Sequence, residues 1–311
     1  MDIGLVLGGG GARGYAHIGV LRALLEHGCQ PVAISGCSMG GLVGAFFAAG
    51  YSPDAMEALI REAKLIKFLE VGSLGGIIGG GGLEKFLHEH LPENFEELSL
   101  PLAVTTVDVQ KGELVILRSG KLIPALRATS ALPGIFSPMK HRERYLIDGG
   151  LLNNLPVDVI RTMTLEPIIA VDVAAPPDRT LEFGDEAKAS GWSAKLQQVF
   201  SGGMQGFAER VKNVFSGITL DFLSRSLTIE LFMKSFDVPQ AVLTELRLAM
   251  QPPALLIRPE LDHQFGVEDF ERLDEALKAG YQAACKCLPE FFAKQQPALP
   301  SSSSQDNSDS G

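Results

Sequence analysis

The chain alternates short apolar runs with amphipathic stretches. Residues 3–7 (IGLVL) are apolar throughout, the pattern of a strand covered on both faces. A glycine loop follows, then a helical stretch over residues 15–27. Residues 32–35 predict a second buried strand and residues 41–50 a second helix. Ser52-Pro53 opens a third helix, because serine caps a helix start and proline suits its first turn. Residues 83–91 read as helix. Residues 102–107 and 114–117 read as strands joined by a turn at Lys111-Gly112, a hairpin that makes the sheet mixed. A helix over residues 122–129 leads into a rigid, irregular segment over residues 131–138. Residues 145–147 form a short strand ending at Asp148, Pro156 opens another helix, and residues 168–173 are again a buried strand. This βα alternation predicts an α/β fold of three layers, a mostly parallel mixed sheet with helices on both faces.

Beyond residue 175 the period changes. Residues 185–250 are helical in pattern. Phe207, Val211, Val214 and Phe215 share one face, and Phe222, Leu223, Leu227, Leu231 and Phe232 form a second apolar run. Such stripes are read either as helix-to-helix packing, a homodimer included, or as an amphipathic surface that touches lipid. Residues 254–257 look like a late strand and residues 267–287 like a final helix. From Ala293 onward Gln, Pro, Ser and Asp predict disorder. The expected organisation is a core over residues 3–175, a helical C-terminal extension packed on it over 176–292, and a disordered tail over 293–311.

Composition narrows the function classes. With 311 residues and 46% hydrophobic content the chain buries a large core. A net charge of −10 excludes nucleic acid as main partner, since phosphate binding needs clustered Lys and Arg. The same charge opposes general adhesion to anionic lipid, so transient membrane-surface contact would need a local apolar patch. Cys29, Cys37, Cys285 and Cys287 form neither a disulfide ladder nor a zinc pattern, and no metal or cofactor is expected. Reduced thiols, and a strand that begins at Ile3 with no signal peptide before it, predict a cytoplasmic protein, peripheral at the inner membrane surface. Residues 28–53 carry no charge and are long enough to span a bilayer. Ser35, Gly36, Ser38, Gly40 and Gly41 interrupt them, so a buried strand followed by a buried helix is predicted instead.

Three motifs carry chemistry. Gly36-Cys37-Ser38-Met39-Gly40 joins the second strand to the second helix, a sharp turn with a hydroxyl at its apex. The glycines Gly36 and Gly40 let strand and helix approach, and Cys37 is expected to point away from the apex. Gly9-Gly10-Gly11-Ala12-Arg13-Gly14 follows the first strand. A dinucleotide reading needs an acidic residue about 20 positions further on, and the second strand ends in Ser35-Gly36. A P-loop needs Gly-Lys-Ser/Thr, which is absent. What remains is a set of backbone N–H groups at a helix start, suited to an oxyanion. Asp148-Gly149-Gly150 ends a short strand, and its glycines permit close backbone approach. Alone it reads as an ordinary Asp-Gly turn.

Together the three motifs, in the order glycine loop, serine elbow and aspartate along the chain, resemble the patatin-like phospholipases. The likeness covers roughly residues 3–175 and includes the blocks around Arg127 to Pro138 and Asn153 to Val157. The resemblance implies that Ser38 is a nucleophile and Asp148 its base. It implies too that Gly9, Gly10 and Gly11 supply oxyanion N–H groups and that Arg13 orders the loop. The expected activity is hydrolysis of a phospholipid or lysophospholipid acyl ester through an acyl-enzyme. A thioesterase or general esterase with the same pair, or a non-catalytic acyl-chain or regulatory binder, are the alternatives. A free aspartate is a weak base for serine, with a pKa of about 4, and burial would strengthen it. A Ser-Asp-His triad would need His263, which sits in a polar loop, or His17, which is expected to pack beside the glycine loop. Candidates to line an acyl channel are Leu74, Ile77, Ile78, Leu132, Ile135, Phe136 and Met139. The first three lie in an apolar, glycine-rich segment over residues 71–82, read as a lid or as a loop tucked over the core.

Overall fold

The computed structural model describes residues 1–63, 81–174, 227–262 and 265–295. Strand β1 (Asp2–Leu7) runs through a 3₁₀ turn (Gly11–Tyr15) into helix α1 (Ala16–Glu26). Then come β2 (Gln30–Gly36), α2 (Met39–Ala48), α3 (Pro53–Ala63) and α4 (Gly81–His90). The hairpin β3 (Leu102–Asp108) and β4 (Glu113–Leu117) precedes α5 (Leu122–Thr129), β5 (Met139–His141) and β6 (Arg144–Asp148). Two single turns, α6 (Gly150–Asn153) and α7 (Val157–Ile160), lead to β7 (Ile168–Val171). After them stand α8 (Leu227–Met250), β8 (Leu255–Ile257) and α9 (Leu273–Gln295).

The strands form one mixed sheet in the order β5-β6-β3-β2-β1-β7-β8, with β4 also paired to β3. Its centre is parallel (β3-β2-β1-β7-β8), and β4, β5 and β6 pair antiparallel. The continuous apolar runs follow from burial on both faces. On β1, Ile3, Leu5 and Leu7 pack into the larger core with α1, α2, α3 and α9, while Val6 turns to a smaller core with Val157, Ile160 and Leu248. On β7, Ile169 and Val171 join the first core, Ile168 and Ala170 the second. Helices therefore cover both faces of a three-layer α/β molecule.

Helix α9 lies directly on α1. A Cβ at Gly19 would overlap the Leu277 carbonyl, and one at Gly280 the Ala16 carbonyl, so glycine on each helix lets the backbones touch. Local chemistry sets other boundaries: Ser52 Oγ accepts the Ala55 N–H at 3.1 Å and starts α3. Residues 28–53 form β2 and α2, and no helix of the described residues is long and apolar enough to cross a membrane.

Three expectations are corrected. The final helix starts at Leu273, not at residue 267, and continues through Gln295, past the expected onset of disorder at Ala293. Its start is displaced because Gly266 N–H bonds Asp269 at 2.8 Å and the Val267 carbonyl accepts the Ala12 N–H at 2.8 Å, which holds this stretch in turns. Its end persists because Phe291 is buried in the larger core. Gly81 and Gly82, read as loop, open α4. Strand β5 went unread, being short and mostly polar; it exists through its pairing with β6. The expectations for residues 71–80, 185–226 and 296–311, and for His263, fall outside the described residues.

Candidate active site

Ser38 stands between the end of β2 and the start of α2 with φ 51° and ψ −124°, a backbone shape that side chains rarely adopt. The turn is tight on both flanks. A Cβ on Gly40 would overlap the Leu7 carbonyl, and one on Gly36 would lie 2.7 Å from the Gly41 nitrogen. The strained shape is held by a relay from α5. Ser38 N–H donates to Thr129 Oγ1 at 2.9 Å, and the Thr129 hydroxyl donates to the Thr105 carbonyl of β3 at 2.7 Å.

Asp148 arrives from the antiparallel side of the sheet. Strand β6 pairs with β3 in the register Thr106↔Asp148, and the Asp148 N–H donates to the Ala131 carbonyl at 3.1 Å. Its Oδ1 accepts the Gly150 N–H at 2.8 Å and the Cys37 S–H at 3.4 Å, and Ser38 lines the same cavity beside it. A Cβ on Gly149 would overlap the Thr105 carbonyl, so glycine there brings the carboxylate in beside β3. Asp148 is buried, and desolvation raises its pKa; the nearby Ser38 side chain and the hydrogen bonds from Gly150 and Cys37 offset only part of that rise. Cys37 points below the apex, against the carboxylate. Burial and the Asp148 charge push its thiol well up, so it stays protonated and acts as a donor.

The glycine loop is anchored from three directions. Gly8 N–H bonds the Val171 carbonyl at 2.9 Å, Asn154 Nδ2 donates to the Gly9 carbonyl at 3.1 Å, and Ala12 N–H reaches Val267. Gly9 N–H is turned to the Asn154 carbonyl at 3.3 Å, which corrects the expectation that it faces an oxyanion. No hydrogen bond within the described residues engages the amides of Gly10 and Gly11, and both residues face the cavity. Gly11 has φ +56°, and a Cβ there would overlap the Val267 carbonyl. A Cβ on Gly14 would overlap the Met39 side chain. His17 is fully buried and its Nε2–H donates to the Gly8 carbonyl at 2.7 Å. Desolvation lowers its pKa to about 4, so the ring is neutral and supports the loop.

Ser38 and Asp148 open into a cavity of about 390 Å³. Gly9, Gly10, Gly11, Arg13 and Gly150 line it, as do Leu132, Ile135 and Phe136 from the segment between α5 and β5. Gly14, Gly36, Gly40 and Gly149 lie behind it as packing positions. Met139 is not among its lining side chains, because it pairs with Leu146 at the start of β5. Leu74, Ile77 and Ile78 lie outside the described residues. The sequence reading missed Phe236 and Gln240 of α8, and Val267 and Phe270, which close the wall from the C-terminal part of the chain. It also missed the roles of Thr129 and Asn154, whose local patterns show only a helix end and a turn.

The fold and site define an α/β protein that presents a strained serine and a buried carboxylate to an apolar cavity. The chain belongs to the patatin-like phospholipase family, whose model matches residues 5–161, half of its length, and the family is one of lipid hydrolases. An uncharacterized NTE family protein of Mycobacterium tuberculosis is 29% identical over 300 residues, covering 92% of this chain and 46% of that protein. Patatin-like phospholipase domain-containing protein 6 of Mus musculus is 33% identical over 201 residues, covering 61% of this chain and 15% of that protein. The chain thus spans less than half the length of these relatives. Among solved structures, VipD from Legionella pneumophila superposes with a TM-score of 0.52 at 16% identity, over 93% of this chain and 67% of that one, a likeness of fold.

Proposed function

We propose that this chain is a serine acyl-ester hydrolase that acts on phospholipid or lysophospholipid through a Ser38–Asp148 dyad. The observation that carries the reading is that the strained Ser38 and the buried Asp148 carboxylate line the same apolar cavity. Asp148 takes the Ser38 proton as Oγ attacks the ester carbonyl. The proton then passes to the leaving alcohol as its C–O bond breaks, and Asp148 deprotonates the water that cleaves the acyl-enzyme. The raised pKa makes Asp148 a stronger base than a free carboxylate. The amides of Gly10 and Gly11 serve the oxyanion, where a lost donor costs about 3 kcal/mol of barrier. His17, one of the two histidines a triad could use, is spent on the Gly8 carbonyl, which favours a dyad over a triad built on it.

The lipid substrate class is supported by the apolar walls, Leu132, Ile135, Phe136 and Phe270 among them. It is supported too by an exposed stripe on α8, Val238, Val242, Leu246 and Met250, on the same helix whose Phe236 and Gln240 line the cavity. This stripe is the patch through which a chain of net charge −10 would meet a bilayer. Fluorophosphonate labelling that is lost in Ser38→Ala tests the nucleophile. A panel of diacyl lipid, lysolipid, acyl-CoA and short p-nitrophenyl esters tests the class; highest kcat/KM on acyl-CoA would make the protein a thioesterase. Val242→Asp with Leu246→Asp should lower hydrolysis of vesicle lipid while sparing a soluble short ester; equal loss on both would remove the membrane role.

A further inference from the structure

We propose that the acyl chain of the substrate passes from Ser38 into a second, inner cavity, and that this cavity sets the chain length the protein accepts. The inference rests on the reading of Ser38 as nucleophile. The inner cavity, about 50 Å³, shares three lining side chains with the outer one: Met39, Leu42 and Leu83. The two spaces therefore adjoin across these three side chains. Two of them stand beside the nucleophile, since Met39 directly follows Ser38 and Leu42 is one turn further along α2.

Beside these side chains, helices α1, α2, α3 and α4 line the partly open space with Ile18, Val43, Met56, Ile60 and Phe86. Among the described residues that line it, the Tyr15 hydroxyl is the one polar side-chain group. Such a wall suits methylene groups and excludes a head group or ordered water, which needs two to four polar partners. A chain tail laid against this lining removes apolar surface from water. At about 10–15 Å³ for each water-sized group, the inner space holds roughly four methylene-sized groups. The alcohol or head group leaves by the outer cavity, where Arg13, Asp237, Gln240 and Glu268 stand.

The test is a series of p-nitrophenyl esters from butyryl to palmitoyl, presented at fixed mole fraction in detergent micelles. In wild type, kcat/KM should rise about fourfold per methylene until the inner cavity is full, then fall. Ile60→Phe fills the space and should shorten the optimum, lowering the ratio of long-chain to butyryl kcat/KM by about 60-fold, the effect of about three lost methylene contacts. Ile60→Ala enlarges the space and should move the optimum to longer chains. Melting curves establish that each variant is folded. An unchanged length profile in both folded variants overturns the inference and leaves the nucleophile reading standing, provided Ser38→Ala abolishes butyryl hydrolysis. Butyryl hydrolysis that survives Ser38→Ala overturns the nucleophile reading and the inner subsite together.

Discussion

Replacing Asp148 by Asn separates what the carboxylate does for chemistry from what it does to stability. The amide is nearly isosteric, and its oxygen still accepts from Gly150 N–H and Cys37 S–H, so the local hydrogen bonds of Oδ1 survive. Desolvation raises the Asp148 pKa in the folded chain above that in the unfolded one. The folded state therefore holds the proton to higher pH. Stability falls as pH rises from the unfolded value, about 4, through the folded value, and the penalty is complete above it. Each unit of upward displacement costs about 1.4 kcal/mol, which is about 2 °C in Tm for a chain of this size. Asp148→Asn removes that penalty and, on the proposed mechanism, the base. Thermal melts should show the variant more stable than wild type at pH 8, with the gap closing towards pH 4. Ester hydrolysis should drop about 10²–10⁴-fold, the contribution of a positioned general base. A variant less stable than wild type at pH 8, or an offset independent of pH, would refute the argument that a desolvated charge sits there.

Cys37 tunes the same carboxylate. Its S–H bond favours the charged form of Asp148, so Cys37→Ala should move the acid limb of the kcat/KM profile to higher pH. At about 1 kcal/mol for one hydrogen bond the move is about 0.7 pH units, whereas Cys37→Ser, a better donor, should move it lower; identical limbs in all three proteins would argue against contact. Thr129→Val removes the acceptor for Ser38 N–H and leaves a buried donor unpaired. A loss of about 1–3 kcal/mol in urea denaturation is expected, with kcat reduced more than KM is raised. Gly280→Ala drives a methyl into the Ala16 carbonyl of α1. It should destabilise by about 1–3 kcal/mol, and a neutral result would show that α9 can slide on α1.

Much of the site was legible before any fold was known because it is local. The elbow at Ser38 and the glycine loop before α1 are each written in a few consecutive residues. Steric exclusion forces their composition: Gly40 faces the Leu7 carbonyl, and Gly14 faces Met39. Strands β1, β2 and β7 announced themselves as apolar runs, since burial on both faces leaves no room for polar alternation. Sequence periodicity also placed α3, where Ser52 supplies the cap.

Other features belong to packing. Residue patterns showed an Asp-Gly-Gly turn, but the register of β6 on β3 decides that Asp148 meets Ser38 and Cys37. The pattern at residues 122–129 showed a helix end, but the crossing of α5 over β3 makes Thr129 the partner of Ser38 N–H. Gly9 looked equivalent to Gly10 and Gly11 until Asn154 took its amide. The last helix lost its first turn because Val267 is drawn to Ala12, and Val267 and Phe270 thereby became walls of the cavity. Sequence by itself determined the elements and the chemical groups at their ends, because torsional preference and burial act over neighbouring residues. Tertiary structure alone decided which groups touch, because strand register and helix crossing depend on contacts between parts of the chain that carry no local signal of one another.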